Sequence, residues 1–226
     1  MDDQAAGWLL GLAIAGLLWP LSSPGRRPYA AAVVALLLLY LVALAMAAAL
    51  LEPALRPWST VIAAAAVWLV MQPLIALGYF SYAELGLSPP RAGSLRSAMV
   101  VTLLALLANA VISALRGAAP VGITAALVSA SLIAAVMEEL VMRGALLALA
   151  DRASPPHWTL WGAPIGLGGL AVTAAFVVLH GLRPGLLLGV APAAMLYLWL
   201  RARTASLVPP IVAHLLWNGS VLLLHA

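Results

Sequence analysis

Apolar runs follow one another along nearly the whole chain, broken by short polar stretches. A helix needs roughly 20 apolar residues to cross a bilayer core. Eight segments qualify as candidates, over residues 7–21, 29–51, 58–80, 98–115, 121–150, 164–182, 185–200 and 207–224. The first is short, with Pro20 near its end. The third contains Pro73, where a helix would kink. The fifth is longer than a crossing requires. One long polar connection, Ser81–Ser97, contains the helix-breaking pair Pro89-Pro90. A short linker, Asp151–Trp158, carries Pro155-Pro156. The pattern predicts an all-α, polytopic integral membrane bundle of about eight transmembrane helices. Residues 1–97 would supply three spans and the polar connection, and residues 98–226 the remaining spans. The two halves are best treated as one membrane domain.

Composition supports that reading. Of 226 residues, 65% are hydrophobic and 8% charged, with mean hydropathy +1.10. A soluble domain carries about 25% charged residues, so this chain cannot cover a water-facing surface. All eleven basic residues are Arg. Alternate loops place Arg26, Arg27, Arg91, Arg96, Arg152, Arg201 and Arg203 on one side, against Arg56, Arg116 and Arg183 on the other. Seven against three makes the first side cytoplasmic. The net charge of +4 therefore reports topology, and no basic cluster interleaved with aromatics points to nucleic acid. The partner implied is the lipid bilayer. Cysteine is absent, which excludes disulfide and thiolate chemistry. The start, Met1-Asp2-Asp3-Gln4, is acidic where a cleavable signal would be basic. The first hydrophobic segment is expected to stay in the protein.

Few ionisable residues fall inside the spans: Glu138, Glu139, Arg143, His180 and His214. A charge at mid-bilayer costs about 2.5–3.5 kcal/mol on insertion scales. Three within six residues therefore call for a function. Glu139 and Arg143 are four apart, share a helical face and can pair. That pair alone lowers the burial penalty and performs no chemistry. Glu138 lies ~100° round the helix and cannot easily share the same Arg. A carboxylate in a low-dielectric site without a cation binds a proton more readily, which makes it a candidate general base. His180 closes the run Phe176-Val-Val-Leu-His180, and His214 and Asn218 line one face of the last span. His157, in a linker, and His225, beside the C-terminus, read as interfacial residues.

Together these groups can converge on one wet cavity. Glu138 and His180 would hold and deprotonate a water, while His214 and Asn218 would donate to the oxyanion of a tetrahedral intermediate. The same groups leave a second option open, a zinc site of Glu138, His180 and His214. Serine chemistry is a poor candidate, because no Ser sits in a Gly-x-Ser-x-Gly context. The zinc-protease His-Glu-x-x-His is absent as well.

Glu138-Glu139-x-x-x-Arg143, Phe176-x-x-x-His180 and His214-x-x-x-Asn218, in that order, resemble the CPBP family. This group comprises type II CAAX prenyl endopeptidases, bacteriocin-processing proteases and abortive-infection (Abi) membrane proteins. Gly144, the stretch Ala205–Ile211 and Leu85-Gly86-Leu87 also look like the family. Met142 stands where the family commonly has an aromatic. The resemblance lies in the C-terminal half, which it marks as a CPBP/Abi-like catalytic core. It implies an intramembrane endopeptidase acting on a peptide or protein substrate, glutamate-dependent and without a cofactor, zinc being the alternative. In it Glu138 would activate water, His180 position it, His214 and Asn218 form the oxyanion site, and Glu139 with Arg143 form the supporting ion pair. Competing functions are a non-catalytic scaffold or immunity-type Abi protein, and a proton or ion pathway. Intact motifs favour the protease over the scaffold, and the lack of a detectable repeat disfavours a transporter. The Ala-rich, Arg-only composition points to a bacterial source, and so to a bacterial inner (plasma) membrane.

Two expectations remain for the structure to decide. Rise counting at ~1.5 Å per residue puts Glu138 about 18 Å, His180 about 24 Å and His214 about 8 Å from the cytoplasmic ends of their spans. The groups meet only if the span ends are misplaced or the turn 206–210 enters the membrane. Gly181, Gly185 and Gly189 have the spacing that lets helices approach closely, although Pro184 among them also suits a turn.

Overall fold

A computed structural model describes residues 3–52, 55–116 and 125–224. The predicted start of the fifth span at Val121, and the residues Asp2 and His225, lie outside them. The fold is a helical bundle. In chain order it comprises α1 (Asp3–Gly16), α2 (Leu18–Leu21), α3 (Arg27–Leu50), α4 (Ser59–Ala76) and α5 (Leu95–Arg116). It continues with α6 (Ala125–Glu139), a π-helical turn (Leu140–Leu146), α7 (Leu147–Ala153), α8 (Leu167–Leu179), α9 (Pro184–Thr204) and α10 (Val208–Leu224). A hairpin of β1 (Trp158–Leu160) and β2 (Ala163–Ile165) precedes α8, with Trp158 opposite Ile165.

Each of the eight predicted segments is largely helical, but among the described residues five helices are long and apolar enough to cross a membrane. These are Asp3–Leu21, Pro24–Leu50, Ser59–Ala76, Leu95–Ile112 and Pro184–Thr204. The other three predicted segments are shorter or interrupted, each for a physical reason. The fifth segment is interrupted by the π turn. The sixth loses its first residues to the hairpin, leaving 13 in α8. The last spans 17. Hydropathy does not separate Ile165 of the hairpin from the helix that follows, because it is as apolar in a strand as in a helix.

Helix approach is set by other glycines than expected. A Cβ at Gly7 would strike the Val178 carbonyl, and one at Gly11 would come within 3.1 Å of Leu179. Gly7 and Gly11 thus seat α1 on α8. Gly185 and Gly189 have open space on their Cα faces, so they leave room instead of closing an interface. Gly181, at φ +111°, forms the turn before α9.

Two arginines meet the polar connection that follows α4. Arg152 pairs with Glu84 at 2.6 Å and lies over the rings of Phe80 and Tyr29. That contact holds the Glu84 carboxyl below the usual carboxylate range, helped by the Ser81 backbone N–H. Arg201 is not a loop charge. It is 9% exposed and donates from Nε to the Arg143 carbonyl at 3.2 Å and from NH2 to the Glu84 carbonyl at 2.7 Å. Gly86, at φ +79°, has no Cβ to collide with this guanidinium. The Leu207 N–H donates to the Gly86 carbonyl at 2.8 Å and Ser206 Oγ to the Ser88 carbonyl at 2.7 Å. Ser206 and Leu207 are fully buried beneath this polar segment. The start of α10 is thus inside the protein, which is why counting depth from residue 207 placed His214 too near the surface. The family-like stretches at 85–87, 144 and 205–207 form one knot, since Gly144 packs against Leu207 and the Leu85 carbonyl.

Beside this knot Asp151 lines a 180 Å³ cavity with Arg91 and Arg201. Burial pushes its carboxyl up to about 7, against the opposing charge of Arg201. A carboxyl raised above its unfolded value of 3.8 favours the fold in its neutral form. That contribution is complete below the unfolded value and is lost as pH rises through about 7. Asp151→Asn is expected to flatten the fall in stability between the unfolded value of 3.8 and about 7. Thermal unfolding in detergent across that range checks it.

Candidate active site

Glu138 and Glu139 are the last two residues of α6, and Arg143 sits inside the π turn. A π turn winds wider than an α turn and leaves carbonyls out of register, a device frequent at functional sites. Here the carbonyl of Arg143 is taken up by Arg201. The carboxylate of Glu139 is fully buried and accepts from Arg143 NH1 at 3.3 Å. Arg143, 1% exposed, also donates from NH2 to the Ala194 carbonyl at 3.0 Å and stands 4.4 Å over the Phe176 ring. Its charge is thus met by a carboxylate, a carbonyl and an aromatic face.

Helix α10 brings the third partner. His214 Nδ1 lies 3.0 Å from Glu139 Oε1, and its Nε2 lies 3.9 Å from Glu138 Oε2. The first distance is a hydrogen bond; the second is beyond hydrogen-bond range. Glu139 is therefore shared between Arg143 and His214, and accepting from Nδ1–H fixes the plane of the imidazole. Tyr197 of α9 stacks on that ring at 4.6 Å and 20° between planes. The sequence places His214 in an oxyanion site or, alternatively, a zinc site; its bond to Glu139 is not legible there, because the two belong to separate helices. Tyr197 was missed too; the available signal was a polar aromatic within an apolar span.

His180 stands just past the end of α8, in the turn. Its Nδ1 is 2.9 Å from the Phe176 carbonyl, so with Nδ1 protonated Nε2 keeps its lone pair. Asn218, one turn beyond His214, donates from Nδ2 to the Ser131 carbonyl at 3.2 Å; its second amide N–H is free of that bond. Asn109 of α5, also unanticipated, donates to Ser220 Oγ at 3.2 Å.

A cavity of 630 Å³ is lined by Glu138, His180, His214 and Asn218 together, with Tyr197 and Asn109. Gly185 and Gly189 form part of its wall, which is what their open faces accomplish. A second cavity of 380 Å³, lined by Tyr40, Ser59 and Thr60, lies on the other side of Glu138, Phe176 and His180. These three residues line both spaces. Glu138 is 17% exposed whereas Glu139 is not exposed at all, so the two neighbours differ in access. His157 is remote, in the exposed linker, with its ring 3.8 Å from that of Trp158 and tilted by 49°.

Among the described residues no three His, Asp or Glu side chains stand together as a metal would require. Glu138, His180 and His214 share the cavity but do not form a compact donor set.

Comparison with known proteins gives one finding. The family model for type II CAAX prenyl endopeptidases, Rce1-like, matches residues 120–220, in agreement with the resemblance carried by the three motifs. No curated protein matches the chain. No solved structure matches it. At family level the match supports a CAAX-type intramembrane protease, a membrane endopeptidase in general terms. With the apolar helices it supports an integral membrane protein.

Proposed function

We propose that the chain, matched over residues 120–220 by a family of membrane endopeptidases, hydrolyses a peptide bond with a water activated by Glu138. The observation that carries this reading is the common cavity of Glu138, His180, His214 and Asn218. Glu138 takes a proton from the water as its oxygen attacks the substrate carbonyl carbon. His180, through Nε2, accepts from that water and orients it. The carbonyl electron pair moves to oxygen, and the oxyanion accepts from the free Asn218 N–H and from His214 when Nε2 carries a proton. Collapse breaks the C–N bond, and Glu138 returns its proton to the leaving amine. Glu139 and Arg143 hold His214 in place and touch no substrate. The substrate class is a peptide or protein reached from within the bilayer, and the chain would act in a bacterial inner membrane.

No metal takes part in this scheme. Cleavage of a quenched fluorescent peptide library by the protein in nanodiscs is expected to persist in 1,10-phenanthroline. Cleavage abolished by the chelator and restored by zinc would overturn the metal-free step, and no cleavage across a broad library would overturn the protease.

The open faces of Gly185 and Gly189 give a separate expectation. Gly189→Leu should project a side chain into the cavity, improve helix propensity and leave the unfolding temperature unchanged or slightly raised. Displacement of the substrate by an ångström or more lowers cleavage about 10²-fold. Kinetics and thermal unfolding measured on the same preparation check it.

A further inference from the structure

We propose that the arginine-rich end of the bundle holds the phosphate of an anionic membrane phospholipid, at a site separate from the catalytic cavity. A surface cavity of 450 Å³ lies between the start of α5, the end of α9 and the hairpin turn. Its polar lining comes from Arg96, Ser97 and Arg203, and no acidic residue contributes to it. Arg96 is exposed and has no partner among the described residues. Arg203 reaches the Gly162 carbonyl with NH1 at 3.4 Å, and its Nε is buried without a hydrogen-bond partner. Two cations with no counter-charge beside them suit a phosphate, while the Ser97 hydroxyl is committed to the Ser94 carbonyl at 2.9 Å.

The lower half of the site is apolar. Val100 lines the cavity, and from it the exposed side chains of Leu103, Leu104 and Leu107 continue down α5. Residues 96, 100, 103, 104 and 107 recur at helical spacing and form one stripe, with Arg96 at its charged end. A free phosphate would use only the top of this surface. A phospholipid matches all of it, headgroup on the arginines and acyl chain along the stripe.

The hairpin supplies the third feature. Trp161 and Gly162 form its two-residue turn, both at positive φ, 49° and 78°. Such turns favour Asn-Gly, because the left-handed region crowds the Cβ of other residues against the backbone. Trp161 is nevertheless there, 78% exposed, over the cavity that Trp199 closes from below. Trp199 is held by its Nε1–H donating to the Leu160 carbonyl at 3.1 Å. A strained, exposed indole beside two arginines suits the headgroup layer, where amphipathic rings concentrate.

The test uses the full-length protein in detergent, by native mass spectrometry and thermal unfolding, with phosphatidylglycerol, phosphatidylcholine or inorganic phosphate added. Phosphatidylglycerol is expected to be retained and to raise the unfolding temperature, phosphatidylcholine and inorganic phosphate not. Arg96→Gln should weaken phosphatidylglycerol retention roughly fivefold, the effect of one basic residue near an anionic surface. Trp161→Asn should weaken it also, while stability without lipid is unchanged or improved because strain is relieved. Equal retention of the two lipids would overturn the proposal. So would full stabilisation by inorganic phosphate alone, or unaltered retention by both variants. The readout is lipid, not peptide cleavage, so it stands or falls apart from the protease assignment.

Discussion

Glu138→Gln is expected to lower peptide cleavage by about 10²–10⁴, the usual contribution of a positioned general base, with an unfolding temperature close to wild type. The amide keeps the size of the carboxylate and cannot take the proton of water. Among the described residues Glu138 makes no hydrogen bond that supports the fold; its carboxylate lies 3.9 Å from His214 Nε2. Loss of activity without loss of stability therefore separates a chemical role from a structural one. Glu139→Gln should behave differently, because Glu139 accepts from Arg143 and His214. It should lower both stability and cleavage. Parallel kinetics and unfolding curves on the two variants make the distinction.

Arg143→Ala is expected to destabilise the protein by about 3–5 kcal/mol, the cost of breaking a buried ion pair by removing one partner. Glu139 would remain fully buried with a carboxylate facing the cavity left by the guanidinium. The Ala194 carbonyl would lose its donor and the Phe176 face its cation. Arg143→Lys should recover part of the loss, since it restores charge but not the forked geometry that reaches Glu139 and Ala194 together. Detergent unfolding curves and membrane protein level check both; normal stability of Arg143→Ala would sink the ion-pair account.

Much of the bundle was legible because apolar length is a direct signature of a membrane helix. The signal failed where apolar residues adopt another form. Pro164 and Ile165 read as the start of a span and fold as the second strand of a hairpin. Leu140–Leu146 reads as plain helix and winds as a π turn, which no local pattern announces. Arg201 was counted as a loop charge because composition records that a residue is basic, not that two backbone carbonyls await it. Its role appears only when the polar segment around Glu84 folds back over the core.

The site was legible in kind. Ionisable residues are rare inside spans, so Glu138, Glu139, Arg143, His180 and His214 stood out by their cost alone. Their partners were not legible, since those come from other helices. The pairing of Glu139 with Arg143 could be anticipated from spacing within one helix. The bond from His214 to Glu139 could not, nor could the stacking of Tyr197, because both depend on how α6, α9 and α10 are set against each other. The buried start of α10 likewise needed the polar segment in place before the depth of His214 made sense.

The central claim is that a water activated by Glu138 cuts a peptide bond. Its most direct test is mass spectrometry of a library peptide incubated in oxygen-18 water with the protein in nanodiscs. The account predicts an internal cut whose new carboxyl end carries one heavy oxygen, produced by wild type and absent with Glu138→Gln. The same labelled cut made equally well by Glu138→Gln, or no cut by wild type, would contradict it.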